Sequence, residues 1–184
     1  MEENDIKIEN KLMEVKEGNN TYQIEYIGGK DFEKHMKNNK VIILGLTGVG
    51  KTTIAYRLIK NAFIQTSPTI SLDIGYYQMK LNGKIMQINL WDACGNEEFA
   101  KTTPNLFRNV IMAIIVYSIN DIQSFNNVNT WLNILRENSK DCLIYLIGNK
   151  IDLERKVDKE AAEKFKRDYE LNYFSEIQQK MDLV

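Results

Sequence analysis

Three groups of residues in this 184-residue chain have the types and spacing to do chemistry, and each suits part of one ligand. The first is Gly45-x4-Gly50-Lys51-Thr52, in KVIILGLTGVGKTT. Gly48 and Gly50 let the main chain curl so that successive N–H groups, from Gly48 through Val49 to Thr53, point inward at phosphate oxygens. A helix beginning at Lys51 adds the partial positive charge of its N-terminus. Lys51 can bridge terminal phosphates, and the Thr52 hydroxyl can ligate Mg²⁺. The second group is Asp92, Gly95 and Asn96, in WDACGNEEF, where an acid and a glycine at this spacing could meet a metal and a phosphate. The third is Asn149-Lys150-Ile151-Asp152, at the end of CLIYLIGNKID. A carboxylate only accepts hydrogen bonds, so Asp152 suits the N1–H and 2-amino donors of guanine. Adenine offers an acceptor at N1 and no 2-amino group, leaving the acid unpaired at a cost of roughly 1–3 kcal/mol. Lys150 can lay its stem along the ring, and the Asn149 amide can tie neighbouring loops together. The ligand expected from these residues is GTP or GDP rather than ATP.

Such groups work only if a scaffold brings them to one place. KVIILG, IMAIIVYS and CLIYLIG are short, continuously apolar runs of the kind that form strands buried on both faces. Helical periodicity alternates with them. KTTIAYRLIKNAF places Ile54, Leu58 and Ile59 on one side, and SFNNVNTWLNILRENS reads as a helix with Ser124 as its N-cap. VDKEAAEKFKRDY is a third helix with a charged, solvent-facing surface, and a short strand follows near LNYF. IGYYQMKL and IMQINLW flank Asn82-Gly83 and read as a hairpin. The alternation predicts an α/β fold with a mostly parallel sheet covered on both faces, ligands lying at the carboxyl edge of the strands.

Composition narrows the alternatives. With 43% hydrophobic residues and a net charge of −1, the chain suits one ordinary domain and lacks the charge balance of a nucleic-acid groove or a polybasic membrane patch. Two cysteines, Cys94 and Cys142, are too few for a disulfide framework, so a reducing, cytoplasmic setting is expected. His35 is the only histidine, lies outside the three groups, and leaves no His/Cys cluster for zinc. The acidic start MEENDIKIEN does not read as a secretory signal, and the end MDLV carries no prenylation cysteine, so membrane association is not encoded in this chain.

With these motifs in place, the chain resembles the Ras superfamily of small GTPases, and most closely its Rab branch. GLTGVGKTT is similar to the family's phosphate loop, SPTISLD to its first switch, LWDACGNEEF to its second, and GNKIDL to its base motif. NLFRNVIMAIIVYSIND and SFNNVNTWL are similar to the Rab stretch that follows the second switch. The likeness runs from about Lys40 to the chain end. It implies a P-loop NTPase three-layer fold: a six-stranded, mostly parallel sheet with one antiparallel strand. It divides the chain into an extension, residues 1–39, and a GTPase domain, residues 40–184. By resemblance, Thr52 and Thr69 ligate Mg²⁺, and Asp92 holds it through a water. Thr69 also closes over the terminal phosphate, and Gly95 offers its N–H to that phosphate. Asn96 stands at the position that orients the attacking water, and Phe63 aligns with an aromatic that packs on guanine. The activity implied is a GTP/GDP switch whose two mobile segments meet effector, exchange and activating proteins. Vesicle traffic at endomembranes is the implied setting.

Four departures qualify the resemblance. Asn96 replaces the usual Gln, leaving the amide about 1 Å short of its task; a misplacement of that size can cost about a hundredfold in rate. Ala93-Cys94 replaces Thr-Ala beside the terminal-phosphate position. Gln178-Gln179-Lys180 replaces Ser-Ala-Lys, so Gln179 and Lys180 are left to support the base. The last family helix is missing from this chain, and its absence predicts that residues 1–39, which could form a hairpin around KEGNN, cover the exposed sheet face, or that a further domain follows. Two functions stay open on the sequence: a slow GTPase switch, and a non-hydrolysing interaction module whose nucleotide, if any, is structural, and which could be part of a larger chain.

Overall fold

The computed structural model describes residues 12–17, 20–26, 39–60, 72–81, 84–98 and 103–178. Among the described residues eight strands form one sheet: β1 (Leu12–Glu17), β2 (Asn20–Tyr26), β3 (Lys40–Leu44), β4 (Asp73–Leu81), β5 (Lys84–Asp92), β6 (Val110–Ser118), β7 (Leu143–Asn149) and β8 (Tyr173–Ile177), in the order β1-β2-β4-β5-β3-β6-β7-β8. Strands β5, β3, β6, β7 and β8 run parallel, and β4 pairs antiparallel with β5. These six strands are the mostly parallel sheet with one antiparallel member that the sequence implies. The two remaining strands come from the segment ahead of Lys40. β1 and β2 pair as a hairpin, and β2 joins β4 through Ile24↔Leu81, Glu25↔Lys80 and Tyr26↔Met79. The described part of the extension therefore lengthens the sheet at its edge instead of lying across a face.

Helices α1 (Lys51–Lys60), α2 (Ile122–Asn126), α3 (Val128–Asn138) and α4 (Lys159–Asp168), with a 3₁₀ turn at Pro104–Phe107, cover the sheet. Strand alternation divides the core in two. Val41, Ile43, Ile114, Val116 and Ile147 face α1, where Ile54 and Ala55 meet them. Ile42, Leu44, Ile115, Tyr117 and Leu146 face the other way, onto Trp131, Leu132 and Leu135 of α3 and Ala162 of α4. Continuously apolar strands are thus explained by burial on both sides. Each fully buried Leu or Ile contributes about 1.5–3 kcal/mol of transfer free energy.

Two local readings need correction. Leu58 is 48% exposed, so the apolar side of α1 is carried by Ile54, Ala55 and Ile59. Ser124 is not an N-cap. Asp121 caps α2, its carboxylate accepting from the N–H groups of Gln123 and Ser124, while the Ser124 hydroxyl donates to the Asp121 carbonyl. The acid three residues earlier reaches the same unpaired amides and holds them with charge. The helix then breaks at Asn127, so the single predicted helix is two.

Candidate functional site

The site is assembled where β3 ends. Register sets Ile43 beside Asp92 and Leu44 beside Ile115, so the ends of β3 and β5 lie together, with β6 running on past them to Ser118. The chain leaves Leu44 through three glycines with positive φ: Gly45 at 138°, Gly48 at 82° and Gly50 at 100°. A Cβ on Gly45 would stand 2.1 Å from the Val116 carbonyl oxygen, so only glycine lets the loop leave the sheet here. Val49 is buried under the loop, and Thr53 is buried in the first turn of α1. Helix α1 begins at Lys51, so its N-terminal turn, with the partial positive charge of a helix start, follows directly on the loop.

Lys51 is only 5% exposed, and its Nζ donates to the Leu46 carbonyl at 2.9 Å. Burial pushes its pKa down to about 8, against the opposing pull of Asp92 and Cys94. A cation held this far from water is matched to an anionic ligand. Thr52 Oγ1 donates to Asp92 Oδ2 at 2.5 Å. Asp92 is 4% exposed, and its other oxygen, Oδ1, is buried with no hydrogen-bond partner among the described residues. Burial raises its pKa; the Thr52 hydrogen bond and Lys51 lower it, and Asp73, opposite it on β4, raises it further. A buried, unsatisfied carboxylate oxygen beside a threonine hydroxyl suits a hydrated divalent cation. Among the described residues no group of three His, Cys, Asp or Glu gathers to hold a metal.

The second cluster lies directly against the loop. A Cβ on Gly95 would fall 2.2 Å from the Thr47 nitrogen and 2.5 Å from the Leu46 carbonyl carbon, so this glycine packs backbone on backbone. Asn96 turns inward on its own segment: its Oδ1 accepts from the Glu98 N–H at 2.9 Å. Thr47, Gly95, Asn96, Glu97 and Glu98 line an open cleft of about 480 Å³. Glu97 accepts a hydrogen bond from the Asn127 side-chain amide, which ties this segment to the break between α2 and α3. Ala93 and Cys94 are buried between Asp92 and the cleft.

The third cluster meets the loop from β7. Asn149 is fully buried, and its Nδ2 donates to the Val49 carbonyl at 2.7 Å. Lys150 adopts a left-handed conformation, φ 66°, and its Nζ donates to the Gly48 carbonyl at 2.7 Å. Base motif and phosphate loop are therefore joined by two side chains across a hundred residues of sequence. Asp152 stands exposed on the following turn, where the Leu153 N–H donates to the Lys150 carbonyl.

The structure thus brings together Gly48, Val49, Gly50, Lys51, Thr52, Thr53, Asp92, Gly95, Asn96, Asn149 and Lys150, and Asp152 follows two residues on in the exposed turn. Phe63 and Thr69, and Gln179 and Lys180, lie outside the described residues. Sequence reading missed the Glu97–Asn127 contact and a bidentate ion pair between Arg155 and Glu176. Neither has a local signature, because the partners meet only once α2 and β8 are in place. It also missed Lys40, whose ammonium sits 3.8 Å above the Trp91 ring.

Comparison with known proteins agrees with this geometry. A sequence model of the Ras family matches residues 40–182. The chain is 36% identical over 138 residues to the Ras-related protein Rab-11C of Dictyostelium discoideum, an alignment covering 73% of this chain and 62% of that protein. It is 34% identical over 139 residues to Rab-13 of Rattus norvegicus, covering 73% and 68%, and 35% identical over 138 residues to Rab-10 of Caenorhabditis elegans, covering 73% and 69%. The aligned part thus spans about two thirds of the length of these relatives. With its glycine-curled loop, buried lysine and paired Thr52–Asp92 in register with that family match, the chain belongs to the Ras family, as a Rab-like member.

Proposed function

We propose that this protein is a GTP/GDP-binding switch that hydrolyses GTP slowly and acts in vesicle traffic. Residues 40–184 are its nucleotide-binding domain, and residues 1–39 are an extension. Lys51 and the amides of residues 48–53 hold the phosphates. Asn149, Lys150 and Asp152 hold guanine, supported by Phe63, Gln179 and Lys180. Thr52, Thr69 and Asp92 hold Mg²⁺, which neutralises phosphate charge when bound. Gly95 reports the terminal phosphate through its backbone, and because it already packs on the loop, a small shift there moves the whole segment. Effector, exchange and activating proteins then read residues near Thr69 and Asn96. The protein works in the cytoplasm and reaches endomembranes through its partners.

The observation carrying slow turnover is the position of Asn96. Its amide oxygen is engaged by Glu98, where it caps the start of the following turn. A side chain used this way does not orient water at the terminal phosphate, and its length would leave it short in any case. The same observation favours a second reading, a module that binds GTP and does not hydrolyse it. Single-turnover GTP hydrolysis by the wild type and by Asn96→Gln separates the two. Slow wild-type turnover that rises about tenfold or more in the variant supports the switch, since general positioning effects of this kind span that range. No turnover in either protein supports the module. Equal, measurable rates in both would contradict the role given to Asn96.

A further inference from the structure

Residues 95–98 line the cleft beside the phosphate loop, and separate contacts hold them there. Gly95 packs its backbone on Leu46 and Thr47. Asn96 Oδ1 accepts from the Glu98 N–H at 2.9 Å, at the point where Glu97 and Glu98 turn helical. Asn is among the strongest residues for closing a helix start in this way, and Gln is not. Glu97, half-buried between two exposed neighbours, accepts from the side-chain Nδ2 of Asn127.

Asn127 is a rigid place to hold from. Its N–H donates to the Gln123 carbonyl as α2 ends, and its own carbonyl accepts from the Thr130 and Trp131 N–H groups as α3 begins. Val128 and Trp131 are buried in the core. The amide reaches Glu97 at the expense of its oxygen: Oδ1 is buried and has no hydrogen-bond partner among the described residues. An amide oxygen left so is unfavourable, and the charge-assisted bond from Nδ2 to a carboxylate has to outweigh it. That bond ties the core to the residue directly after Asn96. For the Asn96 amide to leave Glu98 and swing across the cleft, the turn that starts at Glu97 has to move. Asn127 holds that turn still.

We propose that Asn127, acting through Glu97, pins the turn after Asn96 and so keeps the side chain at position 96 away from the water that attacks the terminal phosphate. Asn127 and Glu97 are positioning residues, acting on the site only through Asn96. The pin rests on the slow-turnover reading given above for Asn96 and adds a second cause to it: the side chain is short, and its segment is tethered. The two causes are coupled. A longer side chain gains from its reach only if the turn can move, so the pin matters more with Gln at position 96 than with Asn. Asn96→Gln also removes the cap on Glu98, which leaves Gly95 and the Glu97–Asn127 bond to hold the segment.

The test combines amide exchange at Glu98 with single-turnover GTP hydrolysis, on the full chain with Mg²⁺ present. Asn127→Asp keeps the shape of the side chain, removes the Nδ2 donor and sets a like charge against Glu97. Glu97→Ala breaks the same bond from its half-exposed side and gives the same two readouts if the buried acid unfolds the chain. Glu97→Gln keeps an acceptor for Asn127 and is the conservative control. Each change is made in the wild type and with Asn96→Gln, and folding is checked by the melting curve. The pin predicts that Asn127→Asp and Glu97→Ala speed exchange of the Glu98 N–H about tenfold, the scale of one lost charge-assisted bond, and that Glu97→Gln speeds it less. It also predicts that breaking the bond raises hydrolysis about fivefold more in the Asn96→Gln background than in the wild type. General loosening would move both backgrounds alike. Unchanged exchange at Glu98, or equal effects on hydrolysis in the two backgrounds while Asn96→Gln alone is faster, would overturn the pin. If Asn96→Gln brought no gain with the bond intact or broken, the slow-turnover reading of Asn96 would fail first, and the pin with it.

Discussion

Asn96 shows how far a single residue type can be read. Its chemistry, an amide one methylene shorter than glutamine, is visible in the sequence, but its use is not. In the fold the side chain serves its own backbone at Glu98. Asp152 makes the sharper case at this scale. On the guanine role proposed for it, replacing Asp152 with Ala would remove two charge-assisted hydrogen bonds, so GDP affinity should fall about tenfold to a hundredfold with Mg²⁺ present, as titration calorimetry would record. An unchanged affinity would mean that the base is read elsewhere. Cys142 is a different kind of residue-level prediction. Burial pushes its thiol up to about 11, offset in part by a hydrogen bond from Ala113. Its reactive thiolate is therefore scarce at pH 8. Alkylation by iodoacetamide should run tens of times to about a hundredfold slower than for a free cysteine. The raised pKa also means that any stability it confers is present below the ordinary thiol pKa and is lost as pH rises toward 11.

At the scale of elements, legibility followed periodicity. The strands β3, β6 and β7 were readable because burial on both faces makes them apolar throughout. The phosphate loop was readable because its glycines have no substitute: Gly45 combines φ 138° with a neighbour 2.1 Å from any added Cβ. Gly45→Ala should therefore destabilise the protein by about 3 kcal/mol or more, seen as a lower denaturant midpoint, from overpacking and backbone strain together. Helix ends were less readable. Ser124 and Asp121 are both good caps by type, and only the path of the chain out of β6 decides between them. Asp121→Ala should cost about 1 kcal/mol in urea unfolding by removing the cap. If Asp121→Ala left the unfolding midpoint unchanged, the assignment of Asp121 as the cap would be wrong. Side-chain ties such as Glu97–Asn127 and Arg155–Glu176 had no periodic signature, since each joins segments that are neighbours only in three dimensions.

For the whole molecule, the sheet is wider than the six strands read from the chain after Lys40. The added hairpin meets β4 at Met79–Leu81, whereas Asp73 at the other end of β4 lies opposite Asp92 in the site. The described hairpin and the candidate site are thus at opposite ends of one strand. Deleting residues 1–38 should leave GDP affinity unchanged while opening a strand edge, so light scattering should report greater self-association. Loss of GDP binding in the truncated protein would show that the extension reaches the site. Because ligand binding stabilises only the folded state, GDP with Mg²⁺ should raise the melting temperature of both forms.

All of this depends on a main chain that grips polyphosphate and a carboxylate that selects the purine. Titration calorimetry of the purified chain with GDP, GTP and ADP, with Mg²⁺ present, tests both parts together. The structure predicts one site that binds GDP and GTP, and binds ADP at least about a hundredfold more weakly, since a site built for guanine donors leaves its acid unpaired against adenine. Absence of binding by both guanine nucleotides, or equal binding of ADP, would contradict it.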